Sequence, residues 1–202
     1  MQDDEKEFLN LFFKFQKFVG ILVIPLGVGI FLFRDFITTT VLGNQWTEAA
    51  YFLGLWGLTS SITIVLSHYS SEVYRAKGKP KLSVLAQVLH IVVLWPTVLI
   101  SVKYGFETLC TARAIVRLEL IAVNLVIMYV LMKMPVGKMF TNILPSTVAA
   151  CTMFLILLLP PATTVFMNVV YVMIACVIYC VVLMLFKRER EILFNLKSYI
   201  KK

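Results

Sequence analysis

Charge is what this sequence has least of. Only 15% of its 202 residues are Asp, Glu, Lys or Arg, whereas 60% are apolar and the mean hydropathy is +0.88. Soluble domains run at about 25% charged and 45–50% apolar, so a free globular domain is excluded and a membrane protein implied. The longest polar stretches are the first 17 residues and the last 16, too short for a soluble domain. Histidine is confined to His68 and His90, and there is neither a glycine-rich phosphate loop nor a zinc-ligand spacing. No nucleophile–base or paired-acid arrangement stands out, so neither enzyme activity nor a cofactor is expected. Cys110, Cys151, Cys176 and Cys180 lie in apolar runs as small hydrophobes, which argues against a disulfide framework. The opening "MQDDEKE" lacks the basic region of a signal peptide, so no cleavage is expected.

Long apolar runs are what the chain does have. Crossing roughly 30 Å of hydrocarbon takes about 20 mainly apolar residues as a helix. Six runs qualify, at 18–37, 49–68, 82–102, 108–132, 141–159 and 164–186, separated by "LGNQW", "YRAKGKPK", "KYG", "KMPVGK" and "PPATT". Backbone in lipid must satisfy its own hydrogen bonds, so the expected fold is all-α: a polytopic bundle of six transmembrane helices over 18–186. A cytoplasmic amphipathic lead-in occupies 1–17 and a basic amphipathic tail 187–202. In the tail, Ile192, Leu193, Leu196, Tyr199 and Ile200 fall at helical spacing, which fits a helix lying on the inner leaflet or a plain basic stop-transfer tail.

The basic residues orient the bundle. Of 19 Lys and Arg, 15 fall in the N-terminal segment, the second and fourth inter-span loops and the tail; the opposite loops hold Arg34 and Lys103 alone. Short loops rich in Lys and Arg stay cytoplasmic, so both termini are expected inside. The net charge of +8 is thereby an orientation signal, and nucleic acid is not an expected partner; the lipid bilayer is.

Against this background "CTARAIVRLELIAVN", Cys110 to Asn124, is anomalous. Counting back from Lys133 at about 1.5 Å per residue puts Arg113 near the outer interface, Arg117 about 6 Å deeper and Glu119 about 9 Å deeper. At 100° per residue Arg113, Arg117 and Asn124 share one face, within about 40°, and Glu119 points away from it. Two readings stand. One is a hydrated cavity opening outward, suited to an anionic or hydroxyl-rich ligand, because arginine donates two parallel hydrogen bonds to phosphate. The other is interfacial snorkelling, with Glu119 paired to another helix.

The third run repeats the pattern. Ser83, Gln87, His90, Thr97 and Ser101 fall on one stripe. They form either a second cavity wall, with His90 or Glu119 as an ion-coupling group, or a polar helix–helix contact with His90 bonded inside the bundle. Pro25 and Pro96 provide sites for kinks, and Gly20, Gly27, Gly29, Gly54 and Gly57 provide close-packing surfaces.

The order of these features is familiar. "KFVGILVIPLGVGIFLFRDFITTTVLGNQWTEAAYFLGLWGL" resembles a motif of polysaccharide (O-antigen type) flippases, a Pro-Leu span followed by a Leu-Gly-x-x-Trp-x-x-Ala turn. Here these are Pro25, Leu26, Leu42, Gly43, Trp46 and Ala49. "YRAKGKPKLS" resembles the family's Gly-Lys-x-Lys cytoplasmic loop. "VKYGFETLCTARAIV" is similar to its outer Gly-x-x-Gly-x-Ala loop, with Gly105 kept and Leu109 in place of the second glycine.

The resemblance covers residues 15–132 and, by hydropathy alone, the last two runs. It implies a member of the MATE-like exporter superfamily, built as two lobes around a cavity. The matching motifs lie in the second half of such proteins, so this chain would be roughly the C-terminal half. The remaining N-terminal half would come from the same gene product or a separate chain. The implied activity is translocation of undecaprenyl-pyrophosphate-linked oligosaccharide across the bacterial inner membrane, for O-antigen and lipopolysaccharide assembly. The alternatives are a MATE-like multidrug exporter, disfavoured by arginine because drug cations prefer acidic or aromatic walls, and a non-transporting assembly subunit.

Overall fold

Between Gln2 and Leu32 the only helix-breaking residue deep in the sequence is Pro25, and the chain forms a single 31-residue helix there, α1 (Gln2–Leu32). The structure is a computed structural model and describes residues 2–194. After α1 come a short α2 (Arg34–Ile37) and a π-helical turn over Thr38–Leu42. Helix α3 (Ala49–Thr63) runs through a second π-helical turn, Ile64–His68, into α4 (Ser70–Ala76). Then follow α5 (Lys81–Ser101), α6 (Phe106–Val130) and α7 (Val136–Thr152), which tightens into a 3₁₀ turn over Met153–Leu158. The last described elements are α8 (Val165–Leu185) and α9 (Lys187–Phe194). No strand occurs among the described residues.

The turns sit where the sequence puts glycine. Gly43, Gly78 and Gly105, one in each of the quoted loop motifs, have φ of +94°, +68° and +97°, a region in which a Cβ clashes with the backbone. Gly27 and Gly57 serve a different need, the close crossing of α1 and α3. A Cβ on Gly27 would collide with the Ser61 side chain, and one on Gly57 would come 2.6 Å from Ile30 Cγ2.

Among the described residues five helical stretches are long and apolar enough to cross a membrane: Glu5–Leu32, Ala49–Ala76, Lys81–Tyr104, Val136–Leu158 and Val165–Leu185. The sixth rod, α6, has the length at 25 residues but carries Glu107, Arg113, Arg117 and Glu119.

Helix α1 is the hub. It packs on α3 and α7; α3 continues onto α6, α6 onto α5, and α7 onto α8. The principal contacts thus form a row in the order α5, α6, α3, α1, α7, α8. Within their most apolar stretches, 44% of the α1 residues are buried against only 6% for α5. An apolar surface as broad as that of α5, with Val84, Val88, Val92, Trp95 and Leu99 all exposed, fits a bilayer environment.

Two apolar clusters hold the row together. One joins α1, α7 and α8 through Ile21, Ile24, Val28, Ala149, Met153, Ala175 and Leu183. The other joins the N-terminal half of α1 to α4, α6 and α7 through Phe13, Val73, Tyr74, Ile127, Met128 and Met139. The second cluster takes in side chains from the lead-in expected at 1–17. Phe8, Leu9, Phe12 and Phe13 recur at helical spacing and face this cluster, and nothing between them and Phe18 interrupts the helix. The lead-in is therefore continuous with the first span.

The described part of the tail also docks on the bundle. Ile192 is 2% exposed within the first cluster, and Glu189 is buried beside Lys17, 2.9 Å from its ammonium. Leu196, Tyr199 and Ile200, which complete the expected amphipathic tail, lie outside the described residues. Glu5 meets Lys77 at 2.6 Å, Lys77 donates to the Met132 carbonyl at 3.4 Å, and Lys138 lies 4.7 Å over the Phe13 ring. The start of α1, the turns after α4 and α6, and α9 accordingly gather at one end of the bundle.

Candidate functional site

A polar seam runs along the contact of α3 and α4 with α6 and is flanked by α5. Most of its residues come from two stretches that interleave polar with apolar side chains, 56–74 and 113–124. On α6 the helical period turns Arg113, Arg117 and Asn124 to the same side, and that side faces α3. Arg113 and Asn124 lie about 16 Å apart along the axis, so the seam has two ends.

At the first end two guanidiniums share one indole. The Arg117 guanidinium carbon lies 3.9 Å from the Trp56 ring centroid and that of Arg113 lies 5.6 Å from it. Arg117 Nη1 also donates to Ser60 Oγ at 2.7 Å. Stacking over an aromatic face is worth about 0.5–2 kcal/mol, the more so away from water. Among the described residues neither arginine forms an ion pair. Both positive charges therefore rest against an aromatic face, and Arg117 also meets a hydroxyl, with no carboxylate among the described residues to neutralise them.

At the other end Asn124 is saturated. Its Oδ1 accepts from Ser70 Oγ at 2.9 Å and Tyr74 OH at 3.0 Å, while Nδ2 donates to Ser67 Oγ at 2.9 Å and to the Leu120 carbonyl at 3.0 Å. Two donors and two acceptors are the whole capacity of a primary amide. Asn124 is thus a tie between α6 and the π-turn–α4 segment. Beside it lies a crevice of about 150 Å³ lined by Ser67, His68, Ser71, Ser83, Gln87 and Asn124, among others. Among the described residues the Gln87 amide has no partner, which leaves it available at this crevice.

Glu119, pointing the other way on α6, meets α5. Its Oε2 is 2.9 Å from Nδ1 of His90, with both side chains only partly exposed. Thr97 joins neither end: its hydroxyl bonds back to the Val93 carbonyl at 2.8 Å. The structure thus groups Arg113 with Arg117, Gln87 with Asn124 and His90 with Glu119, and leaves Thr97 apart. Among the described residues no three His, Cys, Asp or Glu side chains converge to hold a metal ion.

Trp56, Ser60, Ser67, Ser70, Tyr74 and His68 belong to the seam but are not among the expected site residues. A signal existed: Thr63, Ser67, Ser70 and Tyr74 follow one another at intervals of four, three and four residues, a stripe on one helix face. What the sequence conceals is the π-helical turn at Ile64–His68, which interrupts the α-helical period within that stripe.

Residues 1–51 match a family model described as "Polysaccharide biosynthesis protein". The matched stretch contains Pro25, Leu26, Leu42, Gly43, Trp46 and Ala49. No curated protein and no solved structure matches the chain. With five helices among the described residues long and apolar enough to cross a bilayer, this is a membrane protein whose first 51 residues are similar to a polysaccharide biosynthesis protein.

Proposed function

We propose that the chain forms one lobe of an exporter that carries undecaprenyl-pyrophosphate-linked oligosaccharide across the bacterial inner membrane. In this reading α6 is a sixth span, both ends of the chain face the cytoplasm, and a second helical lobe completes the cavity. That lobe comes from the same gene product or from a separate chain. The Arg113–Arg117 end of the seam binds the pyrophosphate, and Gln87 with the neighbouring hydroxyls offers hydrogen bonds to sugar. His90 and Glu119 are the ion-coupling candidates, as a pair that bridges α5 and α6.

One observation carries the reading: two arginines one turn apart on α6, neither paired with a carboxylate among the described residues. A charge near the centre of a span costs at least about 2.5 kcal/mol on the lenient insertion scale. Structural burial of arginine normally comes with an acidic partner. Leaving two cations unneutralised on one indole makes sense when an anion completes them. The residue 1–51 match supports the substrate class.

The test is Arg117→Ala in the complete protein, scored for surface polysaccharide and for membrane abundance. Loss of export at normal abundance is expected, with Arg117→Lys intermediate because a point charge replaces a bidentate fork. Undiminished export by Arg113→Ala/Arg117→Ala would remove the arginines from the proposed role.

A further inference from the structure

A second polar pocket lies on the opposite flank of the hub, between α1, α7 and α9. It has a volume of about 370 Å³ and is lined by Lys14, Lys17, Lys138, Asn142, Arg188 and Glu191, with Phe13 and Asn10. None of these residues belongs to the seam. Four cations thus face one carboxylate, and a second, Glu189, sits behind Lys17. Among the described residues the lining is therefore rich in cations.

The pocket is built from packed elements. Asn142 Nδ2 donates to the Phe13 carbonyl at 2.7 Å, which fixes α7 against α1, and Lys138 rests over the Phe13 ring at 4.7 Å. Lys17, only 8% exposed, is held by Glu189 and ties in α9. Lys14 and Lys17 immediately precede the apolar run that begins at Phe18. In a helix that enters the bilayer there, the pocket sits at the depth of lipid headgroups. Basic pockets between membrane helices at this level bind phosphate-bearing headgroups, each cation contributing through its attraction to anionic lipid. At about 30 Å³ per water the volume equals roughly a dozen waters, ample for two phosphate groups and the linker between them.

We infer that this pocket is a binding site for a group carrying two phosphates, presented by an anionic lipid such as a diphosphatidylglycerol. Its occupant clamps α9 against α1 and α7. The inference rests on the membrane-spanning reading and is independent of transport, so export can fail while this site remains, and the reverse.

The full chain, purified in dodecyl maltoside, is titrated with cardiolipin, dioleoylphosphatidylcholine and inorganic pyrophosphate, and binding is read by native mass spectrometry. Lys138→Gln/Arg188→Gln is the diagnostic variant. Both side chains are exposed, so the fold is spared, whereas replacing Lys17 would strand the buried Glu189. Arg75→Gln/Lys79→Gln, which removes two cations from another turn, is the charge control. Cardiolipin binding weakened about 30-fold in the first variant and unchanged in the second is expected, on roughly one headgroup attraction lost per cation. Tighter binding of cardiolipin than of pyrophosphate assigns the lipid source, and the reverse order reassigns the site to a free diphosphate. Equal binding by both variants, or equal binding of phosphatidylcholine, would overturn the site.

Discussion

The hydroxyl of Tyr179 on α8 donates a 2.7 Å hydrogen bond to the backbone carbonyl of Ile21 on α1. That carbonyl is four residues before Pro25, which has no N–H to offer it. A proline inside a membrane helix leaves such an acceptor bare in a medium without water, and a neighbouring side chain must serve it. Tyr179 does so from a side chain that is itself 7% exposed.

Tyr179→Phe should cost about 1 kcal/mol, the net value of one such bond in water or in a bilayer. In a Pro25→Ala background the same change should cost almost nothing, because the substituted alanine restores the missing N–H. Unfolding in mixed micelles, followed by circular dichroism across the double-mutant cycle, checks this. Equal costs in both backgrounds would break the link to Pro25.

Trp56 and Arg117 should show a coupling of about 0.5–2 kcal/mol in a cycle of Trp56→Ala and Arg117→Ala. Trp56→Phe should retain part of it, since a smaller ring still presents a face. Stability in mixed micelles is the readout, and additive single-variant effects would deny the stacking contact any energetic weight.

Asn124→Leu should destabilise the bundle by about 2–3 kcal/mol, because the Ser67, Ser70 and Tyr74 hydroxyls lose a shared buried partner. The drop should appear as reduced membrane abundance before any change in activity per molecule. Normal abundance would return Asn124 to the role of a free cavity residue.

At the α1–α3 crossing, Gly27→Ala should destabilise by about 1–3 kcal/mol, as small-to-large changes in a tight contact do. Ser61 and the Gly57 carbonyl, 3.0 Å from the added Cβ, leave it no room. Gly137, with open space beside its Cα, is the matched control and should tolerate alanine. A similar thermal midpoint for the two variants would contradict the close crossing.

Lys17→Met should cost about 3–5 kcal/mol by leaving the Glu189 carboxylate buried without a counter-charge. Neither carboxylate oxygen of Glu189 has an aligned hydrogen bond to share that burden. Lys17→Met/Glu189→Leu should recover most of the loss, again by unfolding in mixed micelles. A double variant as unstable as the single one would show that the pair's charges do not govern the docking of α9.

The common orientation of Arg113, Arg117 and Asn124 was legible from 100° per residue alone, as was the departure of Glu119 from their face. Their surroundings were not. Trp56 and Ser60 reach the arginines only through the packing of α3 on α6, a contact between residues some 57 apart in the chain. The His90–Glu119 meeting likewise depends on how two antiparallel neighbours are rotated, which periodicity leaves open. The helical runs were legible because lipid demands length and apolarity. The continuity of α1 from Gln2 was less legible, because polar residues such as Lys14 and Gln16 suggest a boundary. Gln16 is in fact fully buried, donating to the Val65 carbonyl at 3.2 Å.

The continuity of α1 has a mechanical result. Its 31 residues measure roughly 46 Å at 1.5 Å each, against about 30 Å of hydrocarbon. With its axis upright in a bilayer, about 16 Å of α1 would stand clear of the acyl chains, continuous with the immersed portion. Tilting the immersed part by about 10° would swing the tip by about 3 Å, and the Lys77 and Lys138 turns moored to it would travel along.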